Sequence, residues 1–257
     1  MKIGYQLFSA LALCQGAEGL KDTIRKIAAM GYDGVEFCSY EGIPAAEMKA
    51  LLAECGIEAM NSHVQLERWE KDAEGEILYA KEAGIPCVAI PWMSPMLRNA
   101  EGFAKIKALL PKLCELGKKH GVKVTYHNHD FEFVKEGDGY VLDRILAADE
   151  AAGLELDTFW AHYAGVDPVS YMEEKKDRLT MIHVKDYLEL SGGGMAGGQE
   201  MPVFTAIGTG KMPNAPVLET AKGLGLPWVI VEQDNSKIDV LESARKSIET
   251  LRRVFER

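Results

Sequence analysis

The 257-residue sequence has no C-x-x-C pair, no long apolar run and no basic patch. Its cysteines, Cys14, Cys38, Cys55, Cys87 and Cys114, are odd in number and widely spaced, which argues against a disulfide framework or a thiolate zinc site. Reduced thiols in a cytoplasmic protein are the expectation. No apolar stretch approaches the roughly 20 residues of a membrane span. The N-terminal MKIGYQLFSALALCQG has one lysine and a short apolar run, as a weak leader peptide would, but it fits a first β-strand better. The formal net charge of −10 sets up a field that repels nucleic acid and anionic lipid unless local cations override it. The most basic stretches, Lys118-Lys119-His120 and Arg252-Arg253, lie in helical patterns beside acidic residues. No nucleic acid and no membrane are therefore expected as partners, and a small molecule is. No candidate strand runs directly into a G-x-G-x-x-G turn that opens a helix, no P-loop is present, and GTGK at 208–211 lacks the required frame.

What is present is an alternation between short apolar runs and helical spacing, the signature of βα units on a parallel sheet. KIGYQLF, GVEFCS, IEAMNSHV, CVAIPWM, KVTYHNH, LELDTF, TMIHVKD and WVIVEQD are the candidate strands. Between them lie stretches such as LKDTIRKIAAMG, with Leu20, Ile24 and Ile27 at helical spacing, and a final helix carrying Leu241, Ala244, Ile248, Leu251 and Phe255. Gly31, Gly56, Gly84, Gly121 and Gly225 fall where helices need left-handed caps. Eight βα units in this length predict one closed (β/α)8 TIM barrel over residues 1–257 rather than an open sheet. The glycine-rich SGGGMAGGQEMPVFTAIGTGKM is too long for a plain connection and fits a loop over the catalytic face as well as a disordered surface loop.

Catalytic residues of such barrels come from the C-terminal strand ends, and these ends are polar. Strand two ends near Glu36, strand three at His63, and strand five at His127 and His129. Strand six ends at Asp157, strand seven at His183 and Lys185, and strand eight at Glu232. Alternation puts His127 with His129, Glu155 with Asp157, and His183 with Lys185 on shared faces. Carboxylates converging in a barrel mouth repel one another, and a divalent cation resolves the conflict. Glu132, Asp157, His183 and Glu232 are the candidate ligands, a set suited to Mn2+, Mg2+ or Co2+ at least as well as Zn2+. Taken singly, each has an ordinary structural reading: His183 as a satisfied core histidine, Asp157 and Glu232 as rim residues, His162 as structural, and Lys185 as a partner of Glu155 or Asp157. Their joint occurrence on successive strands favours the functional reading.

The order of YHNHDFEF, LELDTFWAHYAGVDP, MIHVKD, IGTGKM and VIVEQD resembles the xylose isomerase-like TIM-barrel superfamily, in particular its sugar phosphate isomerase/epimerase group. The resemblance implies a metal at the barrel mouth, with Mn2+ the leading candidate, held by Glu, Asp, His and Glu from strands five to eight. Asp157, His183 and Glu232 match by position. Many relatives carry a glutamate where this strand five has His127, so either Glu132 reaches back or His127 replaces it; Glu132 is favoured. The activity implied is a metal-dependent carbohydrate isomerase or epimerase working through an enediolate. Glu232, Glu132, His127 or His129 would serve as bases, and Lys185 would steady an oxyanion. Glu36, His63, Trp92 and Trp160 are the expected substrate contacts, with Phe8 a further apolar wall. A lyase or hydratase on a keto-sugar, inosose or 3-keto-glycoside, C-glycosides included, is the alternative. A sugar-binding barrel or partner subunit without activity is a third reading, and a homo-oligomer fits the resemblance. No phosphate clamp is visible; the loop at 191–201, Arg68 and Arg98 are the places one would come from.

Overall fold

The computed structural model describes residues 1–190 and 201–255. Eight strands form one parallel sheet: β1 Lys2–Gln6, β2 Gly34–Phe37, β3 Glu58–Ser62, β4 Cys87–Ile90, β5 Lys123–His127, β6 Gly153–Asp157, β7 Leu179–Val184 and β8 Trp228–Val231. Their order, 3-2-1-8-7-6-5-4, runs around a circle. It closes between β3 and β4 through the His63–Ala89 bridge, where Val64 N donates to Ala89 O at 3.0 Å. Nearly every strand position is buried, because both faces are covered, by helices outside and by side chains within. All eight strands expected from the sequence are present.

Amphipathic helices supply the outer layer. In α1 (Gly16–Ala29) Leu20, Ile24 and Ile27 are buried, and in α9 (Val240–Phe255) Ala244, Ile248 and Leu251 are, as their spacing requires. Gly84 and Gly121 cap α3 (Leu66–Ala83) and α4 (Ala100–His120) in the left-handed region, at φ 80° and 77°. Inside the barrel, Met60, Met181, Trp228 and Ile230 form a small apolar cluster toward the N-terminal strand ends. The polar residues occupy the other end, where chemistry takes place in such barrels.

Three local features depart from the sequence reading. Strand six stops at Asp157 instead of running into Thr158 and Phe159, because the Asp157 carboxylate accepts from Trp160 N at 2.9 Å and starts a short helix, Thr158–Tyr163. Residues 191–200 of the glycine-rich loop lie outside the described residues. Its later part is regular: Val203–Thr205 pairs antiparallel with Asp186–Glu189. The following IGTGKM wraps around Asp186, whose carboxylate accepts from Gly208 N (2.8 Å), Gly210 N (3.0 Å) and Met212 N (2.9 Å). Those amides serve a carboxylate of the chain itself. Among the described residues no helix is long and apolar enough to cross a membrane.

The seam between α4 and the barrel generates a test. A Cβ on Gly117 would stand 2.4 Å from Val122 O and 2.9 Å from Val124 Cγ2. Helix propensity alone makes Gly→Ala stabilising by about 1 kcal/mol, whereas overpacking against a fixed backbone costs about 1–3 kcal/mol. Gly117→Ala is expected to lower the unfolding free energy, measured by urea denaturation. A variant more stable than the parent contradicts the close approach.

Candidate functional site

At the C-terminal end of the barrel lies a cavity of about 440 Å³. Phe8, Pro91, Trp92 and Met201 give it an apolar side, and His63, Gln65, His127, His129, Glu232 and Asp234 a polar one, with Cys38 also in the lining. Of the expected substrate contacts, His63, Trp92 and Phe8 are thus in the lining. Glu36 and Trp160 are not: both are fully buried, Glu36 below the cavity and Trp160 behind His129, their rings 5.6 Å apart. His162 lies elsewhere, in a separate depression with Asp167 and Pro213.

Strands five to eight bring His127, Asp157, His183 and Glu232 together, with one ligand atom from each within 4.8 Å of all the others. His183 Nδ1 is 2.8 Å from Glu232 Oε2. His127 Nε2 comes within 3.6 Å of Asp157 Oδ2 and 4.0 Å of Glu232 Oε2. The state of His127 follows from its neighbours. Its Nδ1 lies 3.2 Å from Pro91 O, a group that can only accept, so Nδ1 carries the proton and Nε2 the lone pair. That Nε2 is buried without a hydrogen-bond partner. Burial also holds the His127 pKa below its ordinary value, so the ring is neutral. A neutral, orphaned nitrogen facing two carboxylates and a second imidazole is a fit for a divalent cation.

Of the two strand-five alternatives, this cluster includes His127 and leaves out Glu132. The Glu132 carboxylate accepts from Tyr126 Oη and from His129 N, each at 2.8 Å. Both oxygens are therefore engaged in fastening the short helical turn Phe131–Phe133 to β5. Asn128 fastens the same loop to β6: its Oδ1 accepts from Asp157 N at 2.9 Å and its Nδ2 donates to Asp157 O at 3.2 Å. The eight residues YHNHDFEF thus divide their labour, with His127 in the ligand cluster, Asn128 and Glu132 holding backbone, and His129 in the cavity wall.

Lys185 is fully buried, and its ammonium bridges Asp157 Oδ2 and Glu232 Oε2. It is not in the cavity lining, so the expected direct contact with an oxyanion is not what its position offers; its contacts are these carboxylates. Burial opposes the charge, but Asp157, Asp234 and Glu232 outweigh it and raise the Lys185 pKa. In return, although burial works the other way, Lys185 holds Asp157 down at about 2 and, with His183, holds Glu232 well below the usual carboxylate range. Asp234 is a cavity residue that the sequence reading missed. Burial pushes its pKa up to about 7 against the pull of Lys185 3.7 Å away, and its Oδ2 has no hydrogen-bond partner. Strand parity from Glu232 was the available signal. Arg68 and Arg98, the candidate phosphate cations, are otherwise engaged. Arg68 pairs with Glu76, and the Arg98 guanidinium stacks on Phe131 and Trp92. The proposed phosphate site in the loop at 191–201 falls almost wholly outside the described residues.

Burial pushes the pKa of Glu132 up to about 8, despite the hydrogen bonds it accepts. Its folded pKa lies above the unfolded value of about 4.3, so the folded state keeps a proton the unfolded chain has released. The resulting stability is complete below that unfolded pKa and is lost as pH rises through about 8. Relative to Glu132→Gln, the parent protein should therefore lose unfolding free energy between about pH 5 and 8, by at most about 1.4 kcal/mol per unit. Urea titrations of both proteins across that range measure it; parallel curves sink the assignment.

Comparison with known proteins agrees with this architecture. The family model described as xylose isomerase-like TIM barrel matches residues 24–254. An inosose dehydratase of Lacticaseibacillus casei is 26% identical over 150 residues, covering 54% of this chain and 50% of that protein. The chain spans about half the length of that curated relative. Among solved structures, a sugar phosphate isomerase/epimerase from Parabacteroides distasonis superimposes with a TM-score of 0.76 at 22% identity, covering 97% of this chain and 93% of the other. An IolI protein with a bound zinc atom gives 0.74 at 15% identity over 99% and 98%. With the barrel, the order of its strand-end residues and the match over residues 24–254 in agreement, the chain belongs to the xylose isomerase-like TIM-barrel family.

Proposed function

We propose that the protein is a divalent-metal-dependent carbohydrate isomerase or epimerase that acts on a ketose or keto-sugar through an enediolate. The observation that carries this reading is the convergence of His127, Asp157, His183 and Glu232, with the unpartnered His127 Nε2 facing the group. The donor set is two imidazoles and two carboxylates with no thiolate, which favours Mn2+, Co2+ or Zn2+ over Mg2+. A cation held there supplies Lewis-acid polarisation of a sugar carbonyl and its neighbouring hydroxyl.

The chain's own groups handle the proton. Although burial works against it, Lys185 keeps Glu232 ionised, and Glu232 lines the cavity, within reach of a carbon-bound proton of a sugar held there. His129 and Asp234 line the same cavity, and each has a buried atom without a hydrogen-bond partner, Nδ1 and Oδ2. Either returns a proton at the adjacent carbon or on the other face. Trp92 and Phe8 offer apolar surface to the C–H face of a sugar and help exclude water. The same two groups support the second reading, a dehydratase or lyase, because an acid beside the enediolate can protonate a leaving group. The inosose dehydratase relative points the same way.

Unphosphorylated keto-sugars and inososes incubated with manganese-loaded protein in deuterated water provide the test, read by proton NMR. Deuterium wash-in is expected, abolished by chelation and lowered about 10²–10⁴-fold in Glu232→Gln. Equal exchange in chelator-stripped protein or in the variant rejects the mechanism. An unsaturated product in place of wash-in alone selects the lyase.

A further inference from the structure

Below the cavity the barrel holds a second polar layer that the chemistry above leaves unused. Gln6, Glu36, Asn61 and Glu155 are fully buried there, and His63 nearly so. His63 Nε2 lies 2.8 Å from Glu155 Oε2 and 3.4 Å from Glu36 Oε1. His183 Nε2 lies 2.7 Å from Glu36 Oε2 and 3.2 Å from Glu155 Oε1. The two imidazoles stack almost parallel, 7° apart with centroids at 5.4 Å. Each ring therefore turns the same nitrogen toward the same two carboxylates.

The carboxylates are themselves held. Asn61 Nδ2 donates to Glu36 Oε1 at 2.8 Å and to Glu155 Oε1 at 3.0 Å, and Gln6 Nε2 donates to Glu36 Oε2 at 2.7 Å. Two pairing irregularities set up the layer. The β2–β3 register slips between Val35 and Glu36, which puts Asn61 opposite Glu36, and the β6–β7 register slips between Leu154 and Glu155, which puts Met181 opposite Glu155 and His183 opposite Asp157. Such bulges re-aim side chains.

We infer that Glu36 and Glu155 are positioning residues: together they fix His183 with Nδ1 turned to the ion cluster, and His63 with Nδ1 as the nitrogen left for the cavity. The inference rests on the metal reading above. A ligand imidazole whose other N–H is held by a carboxylate keeps one orientation and gains basicity, and losing that partner commonly weakens metal binding about 10–100-fold. The carboxylates never touch the ion or the substrate. Their effect passes through the imidazoles, and because both rings share the same anchors, ion cluster and cavity wall are held in one register.

Zinc, which is diamagnetic, serves as the probe. Its affinity is measured by chelator competition for the parent, Glu36→Gln and Glu155→Gln, alongside histidine-selective 15N NMR of the zinc-loaded parent. The expected result is zinc on Nδ1 of His183 with a hydrogen-bonded Nε2–H, and about 10–100-fold weaker binding in each variant that retains the parent's circular dichroism. Should a variant fail to fold, the parent spectrum decides: zinc on Nε2 of His183 overturns the inference. So do folded variants with parental affinity, and so does a second equivalent of zinc held by Glu36, His63, Glu155 and His183. A parent that takes up no zinc or other divalent ion removes this inference and the metal reading together, whereas unaffected variants in a zinc-binding protein remove this one alone.

Discussion

Charge compensation inside a closed barrel is the constraint on which the site depends. Glu36, Glu155 and Asp157 are fully buried inside the barrel, and Glu232, at the cavity wall, is nearly so. Unpaired, buried ionised carboxylates would be prohibitively costly. Lys185, His63 and His183 supply the counter-charge, and each does so by touching more than one carboxylate. His183 is the hinge of this arrangement: Nδ1 meets Glu232 toward the mouth and Nε2 meets Glu36 and Glu155 below. The mouth and the inner layer are consequently one electrostatic unit, held in place by the chain's own ion pairs.

The barrel was legible because its signals are local and repeated. Eight short apolar runs, amphipathic helices between them and glycine at several helix ends each report the same topology. What escaped was structure set by a single side chain. Asp157 ends β6 by capping a helix, a choice that LELDTF does not announce. Asp186 organises IGTGKM through three backbone amides that are distant in sequence, so the segment reads as a glycine-rich loop until its carboxylate partner is known.

The site was legible to the depth that strand parity reaches. Parity placed His127, Asp157, His183 and Glu232 on strand ends, and the structure gathers those four. It also pointed to Glu155, but it was not carried two residues beyond Glu232 to Asp234, which lines the cavity. Parity could not separate His127 from Glu132 as the strand-five member, because Glu132 lies past the strand end. Its partners, Tyr126 Oη and His129 N, are a matter of loop geometry. Nor could it place Asn61 opposite Glu36, since a register slip intervenes. Trp160, expected as an apolar contact for a sugar, is instead packed behind His129, among Phe159, Tyr163 and Phe204.

His127, not Glu132, stands with Asp157, His183 and Glu232 in the group that could hold the proposed ion. Anomalous diffraction from manganese-soaked crystals addresses it directly. One peak is expected within coordination distance of His127 Nε2, Asp157, His183 Nδ1 and Glu232, with Glu132 still bonded to Tyr126. A peak coordinated by Glu132 with His127 turned away, or no peak at the barrel mouth, contradicts it.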